Sequence, residues 1–335
     1  MENGTVTATA WWDPSGRFPL LLSAMTQGAL MFFMNFPVVW AVLFQSALRG
    51  DKTYVIVATL AAADALNGLC YVDAIRHRML QLYAGTQDDT VLPVYCMRIP
   101  AVLIWVFADN MSAAMLLVIS IDRLVAVRWS LRYLSLGLRY STLLCSPFVA
   151  FAAAINIAGL VTGWQAAAHG LTVSKFCWLN RFVGATVRDL NLYGRVFFST
   201  ASVVVYGVLT IVFLDRHRRV HALSEERQDS SATAKRTRRR LSDQQRLTVS
   251  LGIACVFTLL LGVLPLLLVE AVRRAGGGEE WLRWGGFDFE MLAWVANNAN
   301  PLLNVLVYVK RQRLIRVALF ASLKLKRLPG NTDLW

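Results

Sequence analysis

The chain has 335 residues, 56% hydrophobic and only 16% charged, with a mean hydropathy of +0.48. A soluble domain carries about a quarter charged residues, so this balance excludes an ordinary soluble enzyme or binding module. The net charge of +13 does not indicate nucleic acid as a partner, because the basic residues cluster between apolar runs instead of interleaving with a soluble fold.

About 20 apolar residues cross a bilayer as a helix, and gaps between charges locate the candidates. The first 17 residues, MENGTVTATAWWDPSGR, lack the basic start and short apolar core of a cleaved signal peptide. They are expected outside the cell, with the first span acting as a signal anchor and Asn3 in the glycosylation sequon Asn3-Gly4-Thr5. Seven spans follow, at approximately 18–48, 53–72, 99–121, 140–168, 193–214, 247–269 and 291–309. The fold expected is therefore an all-α membrane protein, a seven-transmembrane helix bundle.

The segments between the spans set the orientation. Segments 49–52, 122–139, 215–246 and 310–335 hold 23 of the 34 Lys and Arg and a net charge of +15, whereas the opposite set sums to zero. The positive-inside rule then puts the N-terminus outside and the C-terminus in the cytoplasm of a multi-pass plasma-membrane protein. Cytoplasmic loop 3, residues 215–246, is polar, and Ser242 after Arg239-Arg240-Leu241 reads as a basophilic kinase target. In the tail, 310–335, Leu314, Val317, Ala318, Ala321 and Leu325 recur at helical spacing among basic residues, which predicts a short amphipathic helix in the headgroup layer.

Of five cysteines, Cys96 and Cys177 flank spans on the outer side, where oxidising conditions permit a disulfide. The others read as small apolar fillers, and no CxxC metal spacing occurs. The four histidines are scattered, and no nucleophile–base constellation suggests an enzyme.

The informative residues are charges in apolar runs. An uncompensated acid at mid-membrane costs about 2.5–3.5 kcal/mol, so Asp64 must face the bundle interior. Its candidate partners are Asn35, Ser112, Asn297 and Asn300, either as a hydrogen-bonded cluster or around an ion. Asp109 belongs to a ligand pocket or extends that polar core. Glu270 and Glu290, near the outer ends of spans six and seven, meet a ligand or pair with Arg273, Arg274 or Arg283. Trp105 and Trp294 complete the candidate pocket. Adjacent charges at Asp122-Arg123 close span three, facing either water or the bundle. Pro37, Pro147, Pro265 and Pro301 each remove a backbone donor and permit kinks.

Taken together, LAAAD (Leu60–Asp64), DRLVAVRWSLRY (Asp122–Tyr133), Pro265 in GVLP, and NPLLN (Asn300–Asn304) resemble, in order and over nearly the whole chain, the rhodopsin-like (class A) G-protein-coupled receptors. Size, short N-terminus and the IDRLVAV wording are similar to the nematode serpentine chemoreceptors of the SRSX type, and an orphan peptide-type receptor is the alternative. The resemblance implies an extracellular ligand and a heterotrimeric G protein as partners. It gives Asp122, Arg123, Tyr206, Pro265, Asn300, Pro301 and Tyr308 the roles of an activation switch. It also implies a sodium ion at Asp64, Ser112, Asn297 and Asn300 that favours the resting bundle, with no other cofactor. Leu124 and Asn304 stand where the family has tyrosines, and Val263 where it has a tryptophan. Those departures keep open a receptor-like binding protein with weak or no signalling. A transporter or channel would instead call for internal repeats, which are not seen.

Overall fold

The structure, a computed structural model, describes residues 17–178, 183–226, 252, 256–275, 283–284 and 287–311. Its helices are α1 (Arg17–Phe44), α2 (Ser46–Arg49), α3 (Lys52–Tyr83), α4 (Pro93–Met97), α5 (Pro100–Arg128), α6 (Ser130–Ser135), α7 (Leu138–Ala168), α8 (Ala185–Glu226), α9 (Leu264–Arg274) and α10 (Phe289–Arg311). A π-helical turn, Thr258–Val263, runs directly into α9. Seven of these segments form the bundle: α1, α3, α5, α7, α8, the π turn with α9, and α10.

Local chemistry sets the helix ends. The Asp51 side chain accepts the Thr53 amide at 2.8 Å and caps α3. Pro93 and Pro100 begin α4 and α5, where a missing N–H costs nothing. Gly85 and Gly170 end α3 and α7 in the left-handed region, at φ 66° and 73°. There Thr86 N–H reaches Gln81 C=O and Leu171 N–H reaches Ala166 C=O, each at 3.0 Å, so orphan carbonyls are satisfied.

Several helices outrun the apolar stretches that announce them. α3 continues through Asp73, Arg76 and Arg78 to Tyr83, because those charges find partners instead of ending the helix: Arg76 pairs with Asp73 at 2.8 Å. α8 begins eight residues before position 193 and carries on to Glu226. The first apolar run, by contrast, is broken at Gln45, with α2 following as a separate turn.

At the centre lies α5, which packs against α3, α7 and α8, while α1 packs on α3 and α10. Ile56 and Leu60 of α3, Met111, Met115, Val118 and Ile119 of α5, and Tyr206 and Leu209 of α8 form one core cluster. Polarity is inverted relative to a water-soluble protein. Asp64, Asn67, Asp109, Asn110, Asp122, Ser202, Asn298, Asn300 and Asn304 are buried, whereas Phe33, Leu143, Ile157, Val204 and Ile211 are exposed. Lipid tails are as apolar as leucine, so outward apolar side chains cost nothing and inward polar ones find each other.

One contact sets the distance between α1 and α3. A Cβ on Gly68 would lie 2.6 Å from the Gly28 carbonyl oxygen, and one on Gly28 would lie 2.7 Å from the Tyr71 Cβ. Only glycine at both positions lets the two backbones approach so closely. At one end of the bundle, strands β1 (Thr90–Val91) and β2 (Val173–Ser174) pair antiparallel beside the Cys96–Cys177 disulfide. A second two-residue pair, β3 (Arg283–Trp284) with β4 (Phe287–Asp288), precedes α10. Asn3, Ser242 and the amphipathic tail helix expected after residue 311 lie outside the described residues.

The α1–α3 contact predicts that Gly68→Val lowers stability by about 1–3 kcal/mol through overpacking. Gly207, whose added Cβ would meet nothing within 4 Å, serves as the control, and Gly207→Ala stays neutral or gains up to about 1 kcal/mol. Thermal midpoints of the detergent-solubilised protein check both.

Candidate functional site: a buried polar cavity and two ion pairs

α5 carries four charged residues, and the three that lie within the bundle, Asp109, Asp122 and Arg123, each have a partner. At its far end Asp122 is bonded by the neighbouring Arg123 guanidinium, and the Asp122 side chain is only 2% exposed. Arg123 Nη2 also donates to Thr53 Oγ1 at 2.9 Å and to Tyr133 Oη at 3.1 Å, while Tyr133 O–H donates to Asp122 Oδ1 at 3.0 Å. Thr53 belongs to α3 and Tyr133 to α6, so three helices meet at the Asp122–Arg123 pair. Lys52 holds α6 in place: its Nζ donates to the Tyr133 and Leu136 carbonyls at 2.7 and 2.8 Å and sits 4.2 Å from the Tyr133 ring centroid. Burial pushes the Tyr133 phenol up to about 12, so it stays protonated and remains a donor. The Asp–Arg pair therefore faces the bundle, not water.

Midway along the bundle lies a cavity of about 50 Å³. A water needs about 10–15 Å³ on this measure, so the space takes a few water-sized groups. Its polar lining includes Asp64 and Asn67 of α3, Asp109 and Ser112 of α5, Arg195 and Ser199 of α8, and Asn297, Asn298, Asn300 and Asn304 of α10. The buried Oδ1 atoms of Asn67 and Asn304 have no hydrogen-bond partner among the described residues. Thr258, in the π turn, donates to Asn300 Oδ1 at 3.0 Å and ties that turn to α10.

Asp109 is bonded directly by the Arg195 guanidinium, with side-chain exposures of 7% and 14%. Beside the pair, a Cβ built on Gly194 would meet Asn110 Oδ1 at 3.4 Å and the Phe151 ring at 3.5 Å, ordinary van der Waals contact, so α8 runs against α5 and α7 here. One turn earlier on α8, Asn191 Oδ1 accepts from Asn110 Nδ2, a second polar clasp between the same helices.

At the opposite end from Asp122, the Cys96–Cys177 disulfide spans 5.4 Å between Cα atoms and joins α4 to the segment after β2. That segment is pinned from α3 as well. Arg78, 1% exposed, donates to the Phe176 and Cys177 carbonyls at 3.2 and 3.3 Å and lies 4.2 Å from the Trp178 ring. His77 Nε2 is 3.0 Å from the Lys175 carbonyl.

Three candidates from the sequence fall elsewhere. Trp105 does not line the cavity: it is 1% exposed, edge-on to Tyr71 at 4.8 Å, and packed in the α3–α5 core. Asn35 bonds to the Met31 carbonyl of its own helix at 2.9 Å and does not reach the cavity. Glu270 accepts from Arg274 one turn on, at 2.7 Å, and is likewise outside it. Tyr206 is buried in the α5–α8 core, Pro265 is half-buried at the start of α9, and Pro301 lines the cavity. Glu290, Trp294 and Tyr308 lie on α10, but their side chains are outside the described part.

Residues 34–303, most of the chain, match the family of the 7 transmembrane receptor (rhodopsin family). The chain belongs to the rhodopsin family of seven-transmembrane receptors. A search of curated proteins finds no match. As a rhodopsin-family receptor it is a multi-pass plasma-membrane protein and not an enzyme, and the disulfide and the buried polar interior belong to that architecture.

In this receptor Arg195, Asn67 and Asn298 were not among the residues singled out by sequence. Arg195 stands just before the uncharged run from Val196 and reads there as a boundary residue; the signal that could have found it is the need of Asp109 for a counter-charge. Removing one member of a buried pair strands the other and costs about 3–5 kcal/mol, whereas replacing both with apolar groups is often neutral. Arg195→Met is therefore expected to lower the thermal midpoint markedly. The double variant Asp109→Leu/Arg195→Leu recovers most of the loss, a comparison that a double-mutant cycle measures directly.

Proposed function

We propose that this receptor binds an extracellular ligand from the disulfide end and activates a heterotrimeric G protein at the Asp122–Arg123 end. The 23 basic residues on segments 49–52, 122–139, 215–246 and 310–335, the second of which begins at Asp122, support a cytoplasmic position for that end, with the N-terminus outside. The observation that carries the reading is the closed cluster of Asp122, Arg123, Tyr133 and Thr53, which holds the arginine inward. Releasing it requires α6 or α3 to let go, and the freed guanidinium is the group offered to the G protein.

Activation is then a population shift, in which the ligand binds the open bundle more tightly than the closed one. Moving a 1:99 balance to 99:1 takes about 5.5 kcal/mol of differential binding. Pro265, Asn300 and Pro301 sit where the π turn, α9 and α10 meet, and Thr258–Asn300 links them to the cavity. Tyr206 and Tyr308 extend the same switch toward the cytoplasmic end.

The cavity fits a sodium ion. Asp64, Ser112, Asn297 and Asn300, with the unpartnered oxygen of Asn304, offer hard oxygen donors of the kind an alkali cation prefers. A bound sodium would supply positive charge beside Asp64 and stabilise the closed bundle. The SRSX-like wording of the third span supports a chemosensory ligand. A second reading, a receptor-like protein with weak signalling, draws support from Val263, buried at the end of the π turn where the family carries a tryptophan. Glycosylation at Asn3, phosphorylation at Ser242 and a membrane-surface helix in 310–335 complete the proposal.

Nucleotide exchange in cells at matched surface expression is the test. Arg123→Ala is expected to abolish basal and ligand-driven exchange; exchange unchanged by the substitution would remove the role given to Asp122–Arg123. Tyr133→Phe deletes the hydroxyl's bonds to both Asp122 and Arg123, each worth about 1 kcal/mol, and is expected to raise basal exchange about fivefold or more.

A further inference from the structure

The cavity holds opposite charges on facing helices, and this bears on the ligand. Among the described residues lining it, Asp64 and Asp109 supply carboxylates, and Arg195 supplies a guanidinium bonded to Asp109. Asn67, 3% exposed, adds an unpartnered acceptor oxygen on the same wall. The ends of the Asp109–Arg195 pair belong to different helices, α5 and α8, so a ligand can enter only by standing between them or beside them.

The charges limit what can stand between. A ligand bearing only a carboxylate would take the Arg195 fork and leave Asp109 buried without its counter-ion. A ligand bearing only an ammonium would take Asp109 and strand Arg195. Either outcome leaves a buried charge uncompensated, which is strongly unfavourable. A ligand carrying both signs exchanges one internal ion pair for two, with every charge still met. Its carboxylate matches the planar, two-pronged donor of Arg195, and its ammonium has Asp109 and the Asn67 Oδ1 as acceptors. Space agrees with this: about 50 Å³ holds a few water-sized groups, enough for a compact head bearing both charges, while Leu60, Leu116, Val196, Val263 and Leu266 give an apolar surround.

We propose that the Asp109–Arg195 pair is a ligand-reading site for small amphoteric molecules, an ammonium and a carboxylate on one carbon as in a free α-amino acid. Binding replaces the α5–α8 ion pair by a ligand bridge between the same two helices. The inference rests on the receptor reading given above for the disulfide end, but it concerns binding alone.

The experiment is thermal unfolding of the purified full-length receptor in detergent with millimolar probes. The panel contains glycine and the proteinogenic L-amino acids, their decarboxylated amines, the matching carboxylic acids without the amine, and the uncharged amides of N-acetylated amino acids. At least one amphoteric probe is expected to raise the midpoint saturably, with the matched amine and acid giving no rise at the same concentration. Arg195→Lys, which keeps the charge but loses the fork, is expected to weaken the response about tenfold or more. Asn67→Ala, which also loses its hydrogen bond to Asp109, lowers the unliganded melt and in addition weakens the response measured as a shift from that lower midpoint. The charge-reversed double variant Asp109→Arg/Arg195→Asp, if it melts cooperatively, is expected to keep a response to glycine, which has no handedness and fits in either direction. A rise with amines alone, acids alone or uncharged amides overturns the proposal, as does no rise with any amphoteric probe. No G protein enters this measurement. Exchange left unchanged by Arg123→Ala would therefore refute the signalling reading and leave this one standing, and a flat panel would do the reverse.

Discussion

A charge carried into a bilayer must be met by another group, and much of this receptor's interior is arranged around that requirement. α5 takes Asp109 and Asp122 through the centre of the bundle, about three and a half turns apart by the α-helical repeat. Each fixes a different neighbour: Asp109 draws in Arg195 of α8, and Asp122 holds Arg123, which in turn engages α3 and α6. The surrounding apolar packing determines how tightly the helices sit, but these two pairs determine which helices α5 is joined to at each depth. Because lipid offers little hydrophobic drive between helices, such polar clasps and close glycine contacts do work that burial does in water.

The two pairs also differ in how they are closed. Asp122 and Arg123 are adjacent on one helix, so their bond alone ties nothing together; Tyr133 and Thr53 make it an interhelical contact. Asp109 and Arg195 are on separate helices and link them directly. One is a local pair borrowed by its neighbours, and the other is a bridge. Beside the bridge the amide-rich face of α10 lines the cavity with donors and acceptors that carry no net charge.

The number and order of the helices were legible in the sequence because charge gaps in an apolar chain mark membrane spans directly, and four motifs in register indicated the family. Helix ends were less legible. α3 runs on through Asp73, Arg76 and Arg78 because charges outside the apolar stretch can be satisfied within a helix, as Arg78 is by the Phe176 and Cys177 carbonyls. Among site residues, Asp64, Ser112, Asn297 and Asn300 could be grouped from their depth along each span. Trp105 could not be placed from depth alone, since rotation about the helix axis decides whether a side chain meets the cavity or Tyr71. Arg195 was hidden for a related reason: a long side chain at a span boundary can reach inward or outward, and only its bond to Asp109 shows which. The role of Tyr133 depended on a loop helix whose docking no spacing encodes.

The π turn before Pro265 has a geometric side effect. A turn closed by i→i+5 bonds holds about one residue more than an α turn of 3.6, and one residue amounts to about 100° of azimuth. Everything on the far side of Thr258–Val263 is thus phased differently from what an unbroken helix would give, like a thread with one extra tooth. Side chains upstream of Thr258 and those of α9 are clocked independently, so a face read off a helical wheel through this region places one half or the other on the wrong side.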